Sequence, residues 1–302
     1  MNLGIHTYKV HEEHRIMEKL KDFSSLVKMR LSLLVVFSSL MGYLYASSAN
    51  INVLTLMALL IGGFLITGAS NAFNQVYEMD IDAQMIRTKE RPIPAGRMTA
   101  IEGLYIGVLM SALGFYVLLK YVNPACAIMS ALSLLSYVFA YTPLKRVSHI
   151  ATFVGAIPGA MPFAIGWFAF GGQFHVEVLI LFFIQFIWQF PHTWAIAWLQ
   201  KTDYQKVNIK LNPFGVNDDK RNAYYILLYT IVLIPASLMP MLYGYTNVYS
   251  AIVLLVLGIY FVKKAVDLYN EQTEIKARGV LMGSIIYLPL VQIALVLDKV
   301  FI

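Results

Sequence analysis

Three polar side chains, each four residues from the next, close a long apolar segment of this sequence: Asn74, Glu78 and Asp82. Residues four apart on an α-helix share one face, so these side chains are expected to form a single polar stripe. Asn71 extends the stripe one turn into the apolar region, whereas Asp80 points elsewhere. Stacked oxygen ligands suit Mg²⁺, which often binds through one or two carboxylates and substrate phosphates. The alternative is an ordinary solvated helix end.

Basic residues follow the stripe at once: Arg87, Lys89, Arg91 and Arg97. Such bases clamp the oxygens of a diphosphate and stabilise the charge that builds as it leaves. Two prolines and a glycine in the same stretch predict a turn that aims them. The alternative is topological, because cytoplasmic loops of membrane proteins are basic in any case. Acids and bases together predict a site for Mg²⁺ and a diphosphate.

Two later loops carry further candidates. Lys145 and Arg146, in the stretch YTPLKRVSH, are expected to bind the diphosphate as well, unless they only anchor the loop. Asp203, with Tyr204 and Lys206 nearby, predicts a second acidic patch that faces the first. A diphosphate held by two metal ions would need such a pairing.

His192 lies inside a predicted membrane span, directly after Pro191. The proline is expected to kink the helix, and backbone groups freed near a kink often line a cavity. An ionisable residue within a membrane is a functional candidate by default. A structural histidine held by hydrogen bonds is the alternative.

The composition predicts a membrane protein in which helices position these residues. Apolar residues make up 59% of the 302 and charged residues only 13%, with a mean hydropathy of +0.65; soluble domains carry roughly 25% charged residues. A span needs about 20 apolar residues. The single cysteine, Cys126, excludes an internal disulfide. Nine spans are predicted, near 24–46, 52–73, 101–119, 123–141, 151–170, 177–199, 223–243, 247–266 and 280–298.

The distribution of charge predicts the orientation of the spans. Of 23 Lys and Arg, 21 lie in the N-terminal segment and in the loops after even-numbered spans; Lys120 and Lys299 are the exceptions. By the positive-inside rule, the N-terminus and the candidate site are cytoplasmic. The first 23 residues read as a polar cytoplasmic segment without a signal peptide, and 24–302 as one membrane domain. Nothing in the sequence calls for nucleic acid.

The motifs around these residues resemble the intramembrane prenyltransferase (UbiA) superfamily. The resemblance covers roughly residues 24–298 and rests on four stretches: N-x-x-x-E-x-D-x-D-x-x-M-x-R-T-x-x-R-P-x-P-A-G-R from position 74, Y-T-P-L-K-R from 141, G-A-I-P-G-A-M-P from 155 and F-P-H-T-W-A-I-A-W from 190. The family's first acidic motif usually has Asp where this chain has Glu78. Its second motif usually carries more than one Asp, whereas only Asp203 is present here.

The resemblance implies an all-α bundle of about nine transmembrane helices around a central cavity that opens to lipid, in the cell's inner or plasma membrane. Within the family, the branch that transfers a farnesyl group to heme b is the most similar. Mg²⁺ on Asn74, Glu78 and Asp82 would draw the diphosphate from farnesyl diphosphate. The bases that assist it would be Arg87, Lys89, Arg91, Lys145 and Arg146. A vinyl group of heme b would attack the allylic cation, and water would quench the product. Asp203 would assist catalysis, and His192 would position the heme.

Other functions are also compatible with parts of the sequence. A prenyltransferase that acts on a quinone precursor is expected to show two acids in the second loop, and this chain does not. A transporter would need buried charges within the spans, where His192 is almost alone. A downstream heme-modifying enzyme is a possible protein partner.

Overall fold

The computed structural model describes residues 16–48, 50–215 and 217–301, and every regular element in these ranges is a helix. Positions 1–15 of the predicted N-terminal segment lie outside the described residues. Residues 16–26 form α1. The remaining elements are α2 (Met29–Ser47), α3 (Val53–Tyr77), α4 (Met79–Asp82), α5 (Ala100–Tyr121), α6 (Pro124–Leu135), a π-helical turn (Ser136–Tyr141), α7 (Thr142–Leu144), α8 (Ala151–Ala169), α9 (Val176–Leu199), α10 (Lys201–Lys206), α11 (Asp219–Leu242), α12 (Val248–Glu271) and α13 (Glu274–Phe301).

The helices confirm the predicted membrane architecture. Among the described residues, eight helices are long and apolar enough to cross a membrane, with α6, the π turn and α7 acting as one. The 24-residue α12 covers the predicted span 247–266 and packs against α11 and α13, although it is not among these eight helices. The first span begins at Met29 rather than near residue 24, because the chain leaves helical geometry at Lys28, which has a φ of 47°.

Two helices, α2 and α8, join the two halves of the bundle. One apolar core forms among α9, α11, α12 and α13, and another among α3, α5 and α6. Both cores include residues of α2 and α8. These two helices cross closely at Gly42 and Gly166: a Cβ on Gly42 would lie 2.0 Å from the Phe163 carbonyl oxygen, and one on Gly166 would lie 2.0 Å from that of Ser39. Small residues permit such close helix contacts in membranes.

The break between α1 and α2 is held by two amides of α3. Gln75 donates hydrogen bonds to the carbonyl oxygens of Ser25 and Leu26, at 2.9 and 2.8 Å, and Asn71 donates to Val27 at 3.3 Å. Carbonyls at a helix end have no partner within the helix, so a buried helix end needs external donors. Asn71 therefore stabilises the helix junction, and the junction carries the next residue, Lys28, towards the end of α3.

We predict that Gly166→Ala destabilises the protein by about 1–3 kcal/mol, because the added methyl group meets backbone that cannot move aside. Thermal unfolding in detergent measures the effect. Gly63→Ala is the matched control, since its Cβ would meet only Val36 Cγ2, at an ordinary 3.8 Å. Equal stability of the two variants would contradict the close α2–α8 contact.

Candidate functional site

A buried network of acid, amide and base lies where α3 ends. Glu78 directly follows α3 as its C-cap and is 4% exposed. Lys145 Nζ lies 2.6 Å from its Oε1 and 2.7 Å from its Oε2. Asn74 Nδ2 donates to Glu78 Oε2 at 2.9 Å and lies 3.3 Å from Thr142 Oγ1. The Thr142 hydroxyl in turn donates to the Tyr137 carbonyl within the π turn. The loop that follows α6 thus delivers Lys145 to the side chains at the end of α3.

Asp82 occupies the next turn and pairs with a different base. The short helix α4 continues the register of α3, and the Asp82 amide donates to the Glu78 carbonyl at 2.8 Å. Asp82 is fully buried, with Oδ2 2.5 Å from Arg91 Nη1. Its Oδ1 is buried and has no hydrogen-bond partner among the residues that the structure describes. A buried carboxylate oxygen left unpaired is costly, so this atom is available to a ligand.

Lys28 belongs to the same network, although it is not among the residues predicted for the site. Its Nζ lies 3.4 Å from Asn74 Oδ1. Burial, followed by the nearby charges of Arg91 and Lys145, lowers the pKa of Lys28 to about 7, against the opposing influence of Glu78 and Asp82. A lysine at the entrance of a span, on the same side as the acidic stripe, was the signal that could have identified it.

The cluster accordingly holds more bases than acids. Two carboxylates, Glu78 and Asp82, face three basic side chains, Lys28, Arg91 and Lys145. An additional anion placed among them would offset the excess positive charge and favour the charged form of Lys28. The arrangement is suited to a strongly anionic ligand.

The other predicted bases lie outside this cluster. Arg87 and Lys89 are exposed on the loop after α4. Arg146 pairs with the exposed Asp80 at 3.2 Å, and Arg97 pairs with Asp22 of α1 at 2.9 Å. Of the predicted diphosphate-binding residues, the structure therefore brings Arg91 and Lys145 to the buried acids, and leaves the others at the surface.

Asp203 binds backbone amides. Its carboxylate accepts hydrogen bonds from the amides of Ile86 and Arg87, the latter at 3.3 Å, and Lys206 Nζ lies 3.5 Å away. Burial acts to raise the pKa of Asp203, but these hydrogen bonds outweigh it and hold the pKa below its ordinary value. Asp203 thus ties the loop after α9 to the loop after α4, and an apolar cluster that includes Ile81 and Tyr204 reinforces the junction.

The residues at the end of α3 fit Mg²⁺ when a substrate phosphate completes its shell. Among the described residues, no group of three His, Cys, Asp or Glu side chains is arranged to hold a metal ion. Mg²⁺ often binds, however, through only one or two carboxylates and phosphate oxygens. Glu78, Asp82 and the Asn74 amide oxygen supply donors of that kind, and the unpartnered Asp82 Oδ1 is one of them.

A cavity of about 340 Å³ lies within the bundle, next to this cluster. Its lining includes Asn71 and Tyr141, which adjoin the cluster, since Asn71 lies one turn from Asn74 and the Tyr141 ring lies 5.4 Å from Lys145 Nζ. Apolar residues of α2, α8 and α13 form much of the wall. Much of the cavity wall is thus apolar, and the charged cluster lies beyond one end of the cavity.

His192 lines the same cavity. Its Nδ1 lies 2.8 Å from Ser284 Oγ of α13, and its ring stacks on Trp188 at 4.6 Å. Helix α9 continues through Pro191. The polar side chains Gln185, Trp188, Gln189 and His192 follow one face of α9, so they form a single polar strip on the cavity wall.

Sequence comparisons identify relatives over most of the chain. A protoheme IX farnesyltransferase from Flavobacterium johnsoniae is 43% identical over 285 residues, covering 92% of this chain and 94% of that protein. One from Cytophaga hutchinsonii is 43% identical over 279 residues, covering 92% and 98% respectively.

Solved structures share the fold at low sequence identity. Digeranylgeranylglyceryl phosphate synthase has a TM-score of 0.76 at 19% identity, over 94% of this chain and 100% of the other. A UbiA homologue from Archaeoglobus fulgidus bound to GPP and Mg²⁺ has a TM-score of 0.67 at 13% identity, over 93% and 100%. The UbiA prenyltransferase family model matches residues 35–285. This integral membrane protein therefore belongs to the UbiA prenyltransferase family.

Proposed function

We propose that this protein transfers a farnesyl group from farnesyl diphosphate to a vinyl group of heme b, with addition of water, to give heme O. The observation that carries the proposal is the buried cluster of two carboxylates, one amide and three bases at the end of an apolar cavity. The names of the 43% identical relatives support farnesyl transfer to protoheme IX.

The charged end of the cavity would hold the diphosphate. Asn74, Glu78 and Asp82 would bind Mg²⁺, which neutralises the charge that develops on the leaving diphosphate. Lys145 and Arg91 neutralise the two carboxylates in the absence of ligand. Once those carboxylates bind a cation, both bases are available to the phosphate oxygens, as is Lys28. Arg87, Lys89 and Arg146 would contribute from the surface of the same loops.

The cavity would hold the farnesyl tail and the acceptor. When the bond between C1 and the bridging oxygen breaks, its electron pair leaves with the diphosphate and an allylic cation remains. The apolar walls exclude water from that cation. The vinyl π electrons of heme b then form the new carbon–carbon bond, and water adds to the cation that results. Asp203 would serve this chemistry indirectly, by fixing the loop that carries Arg91.

The excess of basic residues in the N-terminal segment and the even loops supports a cytoplasmic location for the site and the N-terminus. With a ninth span, the C-terminus would lie on the opposite side. The reading of residues 24–302 as one membrane domain agrees with the two cores that share α2 and α8.

The direct test is to incubate the purified protein with heme b, farnesyl diphosphate and Mg²⁺, and to analyse the extracted pigment by mass spectrometry. A heme heavier by one farnesyl group and one water is the expected product. A quinone precursor is assayed in parallel. If the heme stays unmodified while the quinone precursor becomes farnesylated, the acceptor is the quinone precursor and not heme b.

We predict that Asp82→Ala lowers kcat by about 100-fold or more, because it removes a group that stabilises the leaving charge. Asp80→Ala is the matched control, since Asp80 is exposed and two residues away. Steady-state assays at saturating Mg²⁺ measure both. Near-normal turnover by the Asp82 variant, in protein that still inserts into membranes, would remove the metal site from the proposal.

We predict that Lys28→Met raises the KM for farnesyl diphosphate about tenfold, equivalent to about 1.4 kcal/mol of binding. It should not lower the unfolding temperature, because the burial of this ammonium among other bases is unfavourable in the free protein. Arg30→Met is the control, since Arg30 is exposed. An unchanged KM, or a KM change matched by loss of stability, would argue against diphosphate binding by Lys28.

A further inference from the structure

A serine on α13 determines which ring nitrogen of His192 carries the proton. Ser284 Oγ lies 2.6 Å from the Leu281 carbonyl oxygen, a distance at which two oxygens need a hydrogen between them. A serine hydroxyl has one hydrogen, so Ser284 presents a lone pair to His192 Nδ1, 2.8 Å away. In the neutral ring, Nδ1 is therefore the donor, and Nε2 carries the lone pair.

The ring is also held in position from its face. Trp188 stacks on His192 with an interplanar angle of 20°, and its Nε1 donates to the Ser284 carbonyl oxygen at 2.8 Å. Ser284 thus fixes both partners of the stack. Within the described part of the chain, Nε2 of His192 has no hydrogen-bond partner, and the residue lines the cavity. A basic nitrogen is thereby offered to the cavity in a fixed orientation.

The proposed reaction requires a proton acceptor within the cavity. Addition of water to the second cation forms a carbon–oxygen bond and releases one proton from the water. The other polar side chains along the described cavity wall are hydroxyls, carboxamides and the indole of Trp188, all of them weak bases. The buried carboxylates Glu78 and Asp82 pair with Lys145 and Arg91 and lie beyond the cavity's charged end.

We infer that His192 Nε2 is the general base for water addition, and that Ser284 is the residue that positions it. The inference rests on the proposed function. The oxygen lone pair of water bonds to the cationic carbon, while the breaking O–H bond leaves its electrons on oxygen and its proton on Nε2. The imidazolium then returns the proton to bulk water. Without this base, the cation passes a proton from its neighbouring CH₂ group to a water molecule and becomes an alkene that lacks the hydroxyl.

The test is the ratio of the hydroxylated product to the alkene product, measured by mass spectrometry in ¹⁸O-water. The native protein should give the hydroxylated product with one ¹⁸O. His192→Phe, which retains an aromatic ring for the stack, should raise the alkene fraction at least tenfold. Ser284→Ala should raise it to a smaller extent, and Ser284→Thr should resemble the native protein. His149→Phe, in the loop before α8, is the control.

Two outcomes would overturn the inference. An unchanged ratio in His192→Phe would exclude the role as base. If His192→Phe forms no product, an unchanged ratio of hydroxylated product to alkene in Ser284→Ala would exclude that role instead. A loss of the native absorption spectrum of bound heme b in His192→Phe, at an unchanged ratio, would assign the histidine to the heme iron. Absence of any farnesylated heme from the native protein is a different result, since it contradicts the proposed function.

Discussion

The cost of burying charge governs the end of α3. A carboxylate taken out of water needs an ionic partner and further hydrogen bonds, and loss of one partner from such a pair typically costs about 3–5 kcal/mol. Glu78 meets this requirement through Lys145 and Asn74, and Asp82 meets it only in part through Arg91. These pairs fix the relative positions of α3, α4 and the loop after α6. Ion pairs of this kind contribute little net stability, so their arrangement is better explained by function.

The same requirement connects the charged cluster with distant parts of the fold. Lys28 reaches Asn74 only because α1 ends before it, and that helix end is satisfied by the amides of Asn71 and Gln75. Asp203 holds the loop after α4 by accepting hydrogen bonds from two backbone amides of that loop. The crossing of α2 and α8 brings the two halves of the bundle together around the cavity. Each contact is local, and together they place one charged cluster beside one apolar cavity.

Much of the membrane architecture was predictable from the sequence. Long apolar segments require helices, so the approximate spans and the all-α class followed directly. The shared face of Asn74, Glu78 and Asp82 also followed from their spacing, because α4 keeps the register after α3 ends at Tyr77. The family prediction is confirmed by the comparisons.

The sequence does not reveal which of the basic residues join the buried cluster and which stay at the surface. Arg87, Lys89 and Arg91 are equivalent in a loop sequence, and only the fold of that loop turns Arg91 towards Asp82. Lys28 was overlooked because its position depends on a break in helical geometry that hydropathy does not reveal. Asp203 was predicted to face Glu78 and Asp82, whereas in the structure its carboxylate accepts hydrogen bonds from backbone amides. The partners of Lys28 and Asp203 are, in addition, remote in sequence.

The central claim is that Glu78 and Asp82 exchange their bases for Mg²⁺ when the diphosphate binds. Calorimetric titration with a non-hydrolysable thio analogue of farnesyl diphosphate tests this most directly, with and without Mg²⁺. Linkage requires each ligand to raise the affinity of the other by the same factor, and Asp82→Asn should abolish that coupling. Equal affinity for the analogue with and without Mg²⁺ would contradict the claim.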